Sequence, residues 1–113
     1  MGKPKKGGYP APQPITNYIE IKDGQINPAA LTIAWGDLVV WTNKDAASYQ
    51  LAVCKDGKPD PGKIWRALAA NASSAPLEFD WSSDMGKDPV TYEYGMLPPG
   101  TAKATITAQI SRF

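Results

Sequence analysis

Few side chains in this sequence can do chemistry, and the commonest catalytic one is missing. Histidine is absent from all 113 residues. Without imidazole, neither a Ser-His-Asp nor a Cys-His nucleophile can be assembled. The sulfur atoms of Cys54, Met85 and Met96 are soft donors of the kind Cu(I) accepts. Cys54, however, is the sole cysteine and sits in an alternating stretch, where a lone cysteine behaves as a small buried hydrophobe. Zinc would need histidine or paired cysteines, and neither is present. Asp80 with Asp84, or Glu78 with Asp80, could form a carboxylate pair for acid/base work. Glu78 and Asp80 face away from the apolar residues of their own segment and are expected in water, so no enzymatic activity is expected. Trp35, Trp65 and Trp81 stand near the ends of expected loops. A half-exposed ring there can stack on a sugar or a protein partner, or else cap the core. These three form the candidate binding surface.

Charge narrows the partners further. Twelve Lys plus Arg against eleven Asp plus Glu leave a formal charge of +1, which offers no electrostatic footprint for nucleic acid. The one concentrated charge is Lys3, Lys5 and Lys6, in a start rich in Pro and Gly. No apolar run approaches the ~18 residues of a membrane span. The opening MGKPKKGGYPAPQP lacks the apolar centre of a secretory signal. A single cysteine forms no internal disulfide, so redox compartment is not encoded.

The elements that must position these residues are strands. Residues 1–14 hold Pro4, Pro10, Pro12 and Pro14 with three glycines, and read as a flexible tail. One domain is expected over residues 15–113, because this length leaves no room for a second core. From Ile15 onward the apolar residues alternate with period two and turn residues interrupt them regularly. Ile19 and Ile21 share a face; so do Leu31, Ile33 and Trp35. The run Leu38-Val39-Val40-Trp41 is apolar on both faces, as in a central strand. Tyr49, Leu51 and Val53 alternate next. The segment KDGKPDPGK reads as a surface loop, and Ile64 to Ala70 fits a short helical stretch. Leu77, Phe79 and Trp81 form another half-buried strand, and SSDMGKDP a loop. Val90, Tyr92, Tyr94 and Met96 share a face, as do Ala102, Ala104, Ile106 and Ala108. The result is an all-β Greek-key sandwich or barrel of about seven strands with two facing sheets. Periodicity alone does not separate an immunoglobulin-like sandwich from other kinds.

The segment Asn27-Pro28, Leu31-Thr32-Ile33 and Gly36-Asp37-Leu38-Val39-Val40-Trp41-Thr42-Asn43-Lys44-Asp45 resembles the front half of the cupredoxins, the small blue-copper proteins. Tyr92-Glu93-Tyr94 and the final alternating strand resemble the back half, so the likeness spans roughly residues 17–110. Its structural residues have local reasons: Gly36 permits a tight turn, Asp37 can bond nearby amides, Val39 and Trp41 fill the core, and Asn43 can tie loops together. The resemblance implies a first histidine where Tyr49 stands and a cysteine where Met96 stands. A second histidine and a methionine are implied within the loop that here reads Leu97-Pro98-Pro99-Gly100 and Thr101-Ala102-Lys103. Two imidazoles and a thiolate define type 1 copper, and none occupies the matching positions.

The sequence is therefore expected to encode a non-catalytic cupredoxin-like domain that lacks a type 1 copper site, carries no cofactor and acts as a structural or interaction module. Its partner would be a protein or a glycan. Two further readings stay open: copper handling through unusual ligands such as Tyr49, Cys54 and Met96, and a carbohydrate-binding sandwich. An extracellular or periplasmic location is implied by the family resemblance only.

Overall fold

The computed structural model describes residues 14–81, 84, 89–98 and 100–110. The expected tail, apart from Pro14, lies outside the described residues, as does most of the 82–89 loop with Met85. The strands are β1 (Thr16–Lys22), β2 (Gln25–Asn27), β3 (Ala30–Ala34), β4 (Leu38–Asn43), β5 (Tyr49–Lys55), β6 (Lys58–Leu68), β7 (Leu77–Glu78), β8 (Val90–Met96) and β9 (Lys103–Gln109). They form a four-stranded sheet in the order β2-β1-β4-β7 and a five-stranded sheet in the order β3-β9-β8-β5-β6. Both sheets are mixed, since β1 runs parallel to β4 and β3 parallel to β9.

Alternation places the core as the sequence predicts. Ile19, Ile21, Val39 and Trp41 are buried on the first sheet, and Ile33, Leu51, Tyr94, Met96, Ile106 and Ala108 on the second. Both inner faces therefore meet as one apolar layer, the stable solution for two half-wet sheets. In β4 three consecutive residues, Val39, Val40 and Trp41, are buried, which matches its place between β1 and β7.

The segment from Ile26 to Trp35 divides between the sheets: Ile26 pairs with Ile21 in the first, whereas Leu31 pairs with Ile106 in the second. The chain changes sheets just after the cis Asn27–Pro28 peptide. The loop expected at 55–63 and the helix expected at 64–70 are instead one hairpin. Asp56 and Gly57, at φ 54° and 80°, form a two-residue turn that brings Lys58 opposite Lys55. Asp-Gly supplies the positive φ pair that the right-twisted hairpin demands. Pro59 and Pro61 are tolerated in the following strand because β6 is the edge of its sheet. Ile64 is 44% exposed while Leu68 is 2% exposed, so the two do not share a helical face. Register shifts beside Ala52 disrupt the alternation that would have marked β6 as a strand. Finally, the strand expected over Leu77 to Trp81 pairs with β4 only at Leu77 and Glu78.

The motif residues perform the local tasks their chemistry suggests. Gly36, at φ 96°, sits in a turn closed by the Asp37 N–H donating to Ala34 O at 3.0 Å. The Asp37 side chain is nearly sealed from solvent, at 2% exposed. Its carboxylate accepts the Ile15 N–H at 3.0 Å and the Ala34 N–H at 3.1 Å, so it binds the start of β1 to the end of β3. Asn43, fully buried, donates its amide to Ala47 O at 2.8 Å and to Ala69 O at 3.0 Å. That amide gathers the two loops that rim one end of the sandwich.

Candidate functional site

The ends of β4, β6 and β8 and the beginning of β5 converge at the end of the sandwich that Asn43 organises. Tyr49 opens β5 with its ring packed against the core. Its hydroxyl donates to Asp45 Oδ2 at 2.8 Å. The same carboxylate accepts the Asp23 N–H at 2.7 Å and the Gly24 N–H at 2.9 Å, so Asp45 clamps Tyr49 to the β1–β2 turn. The Gly24 amide, then the Tyr49 hydroxyl, hold the Asp45 carboxyl below its ordinary pKa, assisted by the Asp23 amide and by Lys22. The bond to Asp45 pushes the Tyr49 phenol up, and desolvation adds to it. A phenol held protonated in a hydrogen bond is a poor metal donor.

Met96 closes β8 and is 2% exposed. Its N–H donates to Ala102 O at 2.9 Å, and the following Leu97 N–H donates to Gln50 O at 2.9 Å. The turn from Leu97 to Gly100 is drawn tight by the Gly100 N–H donating to Leu97 O at 3.1 Å. Gly100 lies directly on the Met96 side chain: a β-carbon there would stand 2.7 Å from Met96 Cβ and 2.8 Å from its sulfur. The thioether is thus packed as core beneath a glycine lid.

Cys54 does not join this group. Register pairs Leu51 with Met96 and Val53 with Tyr94, which turns Leu51 and Val53 inward and Cys54 to the outer face. There burial raises its pKa, Glu93 adds to that, and Lys103 opposes it. A raised thiol is not a poised nucleophile. Tyr49 and Met96 therefore share one end of the inner layer, and Cys54 stands on the other side of the sheet. Among the described residues no three His, Cys, Asp or Glu side chains gather in a way that could hold a metal ion. The donor set at the matching positions, a phenol and a thioether, does not fit type 1 copper, which needs two imidazoles and a thiolate.

The candidate carboxylates differ in their surroundings. Glu78 and Asp80 are exposed, whereas Asp84 accepts the Tyr92 hydroxyl at 2.7 Å. Burial, and then that bond, hold the Tyr92 phenol far above its ordinary range.

Trp35, Trp65 and Trp81 are half-buried against the core. Trp65, on β6, is the hub of an aromatic cluster. Its ring centroid lies 5.3 Å from Tyr94, 5.5 Å from Phe79, 6.0 Å from Trp81 and 6.1 Å from Trp41. Trp65 and Trp81 are stacked at an interplanar angle of 19°, so each ring covers a face of the other. Trp35 meets Tyr92 edge-on at 6.4 Å, and its indole N–H is buried and finds no acceptor among the described residues. Deep inside, Trp41 Nε1 donates to the Tyr94 hydroxyl at 3.1 Å, and burial pushes the Tyr94 phenol up to about 12, with the indole bond pulling the other way.

One feature at the Tyr49–Met96 end was not foreseen from the sequence. A groove of about 530 Å³ is lined by Ser48, Tyr49 and Gln50, by Ala67 to Ala69, and by Leu97 and Pro98. Its small walls come from the alanines at the end of β6, which look like helix formers in the sequence. Only the β5–β6–β8 neighbour relations bring its three segments together. No helix among the described residues is long and apolar enough to cross a membrane.

No family model matches the chain, and no curated protein sequence does. Solved structures do match. An oxidised amicyanin carrying a single substitution superposes with a TM-score of 0.63 at 15% identity, covering 82% of this chain and 81% of that one. Amicyanin from Paracoccus versutus gives 0.62 at 16% identity over 90% and 86% of the two chains. A purple cupredoxin from Nitrosopumilus maritimus gives 0.63 at 19% identity, covering 82% of this chain and 99% of that one. At such identities the likeness speaks for architecture alone, and the architecture of this chain is the cupredoxin fold.

Proposed function

We propose that this chain is a non-catalytic cupredoxin-like module that holds no type 1 copper and works through its surface, as a structural or interaction domain. The observation that carries the reading is the occupation of the matching ligand positions. The Tyr49 hydroxyl is committed to Asp45, and the Met96 thioether is buried beneath Gly100. Both side chains do what core and rim residues do, and rearranging either to meet an ion would break a hydrogen bond or open the core. The groove at the same end, with Gln50, Ala67 and Pro98 on its walls, is where a protein partner would dock. A glycan is less well served, because Trp65 and Trp81 spend ring faces on each other. The likeness in fold supports an extracellular or periplasmic compartment, which belongs to the same proposal.

Titration with Cu(II) and with Cu(I), followed by calorimetry and visible absorbance, tests the metal half of the proposal. No thiolate charge-transfer band and no stoichiometric heat are expected. A one-to-one site whose affinity collapses in Tyr49→Phe or Met96→Leu would replace this reading with copper handling through unusual ligands. For the docking half, a photo-crosslinking side chain at Gln50 should capture a partner that the same group at Glu20, on the outer face of the other sheet, does not. Equal capture from both positions would argue against the groove.

A further inference from the structure

Asn71-Ala72-Ser73 is the one place where an asparagine is followed two residues later by Ser or Thr. Asn17, Asn27 and Asn43 are followed at that spacing by Ile19, Ala29 and Asp45. Asn-x-Ser with x other than proline is the acceptor sequence for N-linked glycan and demands a surface loop. Such triplets also arise by chance, so placement has to decide. Asn71 is exposed, in the turn between β6 and β7, at φ 56°. This left-handed conformation suits asparagine better than most side chains. The backbone around it is anchored: the Asn71 N–H donates to Asp45 O at 3.1 Å, the Asn43 N–H to Ala72 O at 2.8 Å, and the Ser74 N–H to Trp41 O at 2.8 Å. Its carboxamide, by contrast, is engaged by no hydrogen bond among the described residues. Asn17 and Asn43 spend their amide nitrogens on Leu38 O at 3.2 Å and on Ala47 O at 2.8 Å. Ser73 is exposed as well, with its hydroxyl 2.9 Å from that of Thr42 at the surface.

We propose that Asn71 is an N-glycosylation acceptor. In the transfer, Asn71 Nδ2 forms a bond to the anomeric carbon of an oligosaccharide carried on a lipid phosphate or pyrophosphate. The bond from that carbon to the phosphate oxygen breaks, the lipid phosphate departs with the electron pair, and the amide gives up one proton. The sugar would project into solvent without displacing any packed group. It would also stand beside the groove, since Ala69 lines that groove and lies two residues before Asn71. This inference rests on the proposed location outside the cytoplasm, where lipid-linked sugars are met.

The test separates the acceptor from the location by supplying the latter. The full chain is secreted from a glycosylating eukaryotic cell behind a leader and a tag that carries its own acceptor sequence. Only molecules modified on the tag are analysed, so passage is established for each. The tryptic peptide Ala67–Lys87 should carry a glycan that peptide N-glycosidase removes, leaving Asp at 71. Asn71→Gln and Ser73→Ala should each abolish it, and Ser73→Thr should retain it. A tag-modified chain whose Asn71 is bare overturns the proposal, as does a glycan that persists in Ser73→Ala.

Discussion

The pair Trp41 and Tyr94 offers the sharpest test of how the two sheets are held together. Trp41 comes from β4 of the first sheet and Tyr94 from β8 of the second, and both are 0% exposed. The indole N–H bonds the phenol oxygen at 3.1 Å with ring centroids 5.7 Å apart. Trp41→Ala removes the largest side chain of the core and opens a cavity against Trp65 and Tyr94. Losses of about 3–5 kcal/mol are typical of such truncations, and the upper half of that range is expected, because the phenol also loses its partner. A domain of this size holds about 5–15 kcal/mol in all, so Trp41→Phe serves as the gentler variant. Tyr94→Phe should cost about 1–3 kcal/mol, since it strands a buried indole N–H. In Trp41→Phe/Tyr94→Phe both polar partners are gone and nothing is stranded. The double variant should therefore lose less than the sum of the singles, by about 1 kcal/mol. Urea unfolding followed by far-ultraviolet circular dichroism provides each value, since fluorescence would change with the tryptophan itself. A Trp41→Ala loss below about 1 kcal/mol would refute the core assignment, and singles that add to within about 0.3 kcal/mol would refute the hydrogen-bonded bridge.

Other outcomes follow from the same geometry. Gly100→Ala should destabilise by about 1–3 kcal/mol through overpacking against Met96, and the same change in a Met96→Ala background should cost less, because the contacts with Sδ and Cγ go while the one with Cβ stays; equal costs in both backgrounds would contradict the glycine lid. The Asp45 carboxyl is lowered in the folded state, so its contribution is present above the unfolded carboxylate range and lost as pH falls through the folded value. Melting temperature should accordingly fall more steeply on acidification in the parent than in Asp45→Asn, and parallel curves would dismiss the clamp. Tyr94, raised to about 12, favours the folded state fully below the ordinary phenol range, and that contribution is lost as pH rises toward 12. Phenolate absorbance should therefore show the Tyr94 phenol ionising only together with alkaline unfolding; its ionisation while the far-ultraviolet circular dichroism stays native would contradict the buried phenol.

Much of the fold was legible because period-two alternation reports a buried face directly. Ile19 and Ile21, Val39 and Trp41, and the β8 and β9 sets behave as read, and Asp37 and Asn43 make the bonds their side chains suggest. The β5–β6 hairpin was missed: Asp56-Gly57 carries its turn signal, but the prolines after it read as loop. Their tolerance depends on β6 being an edge, a fact about neighbours rather than about the segment. Likewise nothing local distinguishes an exposed tryptophan from one that shares its faces with Trp65.

By itself the sequence determined that an all-β fold would form and that this chain supplies no imidazole to any site, because alternation and composition are properties of the chain alone. Tertiary structure decided which strands became neighbours, and with them that Cys54 is turned away from Met96, that Tyr49 answers to Asp45, and that a groove opens beside Ala67. Those outcomes depend on register between segments tens of residues apart, where a one-residue slip would carry each side chain to the opposite face.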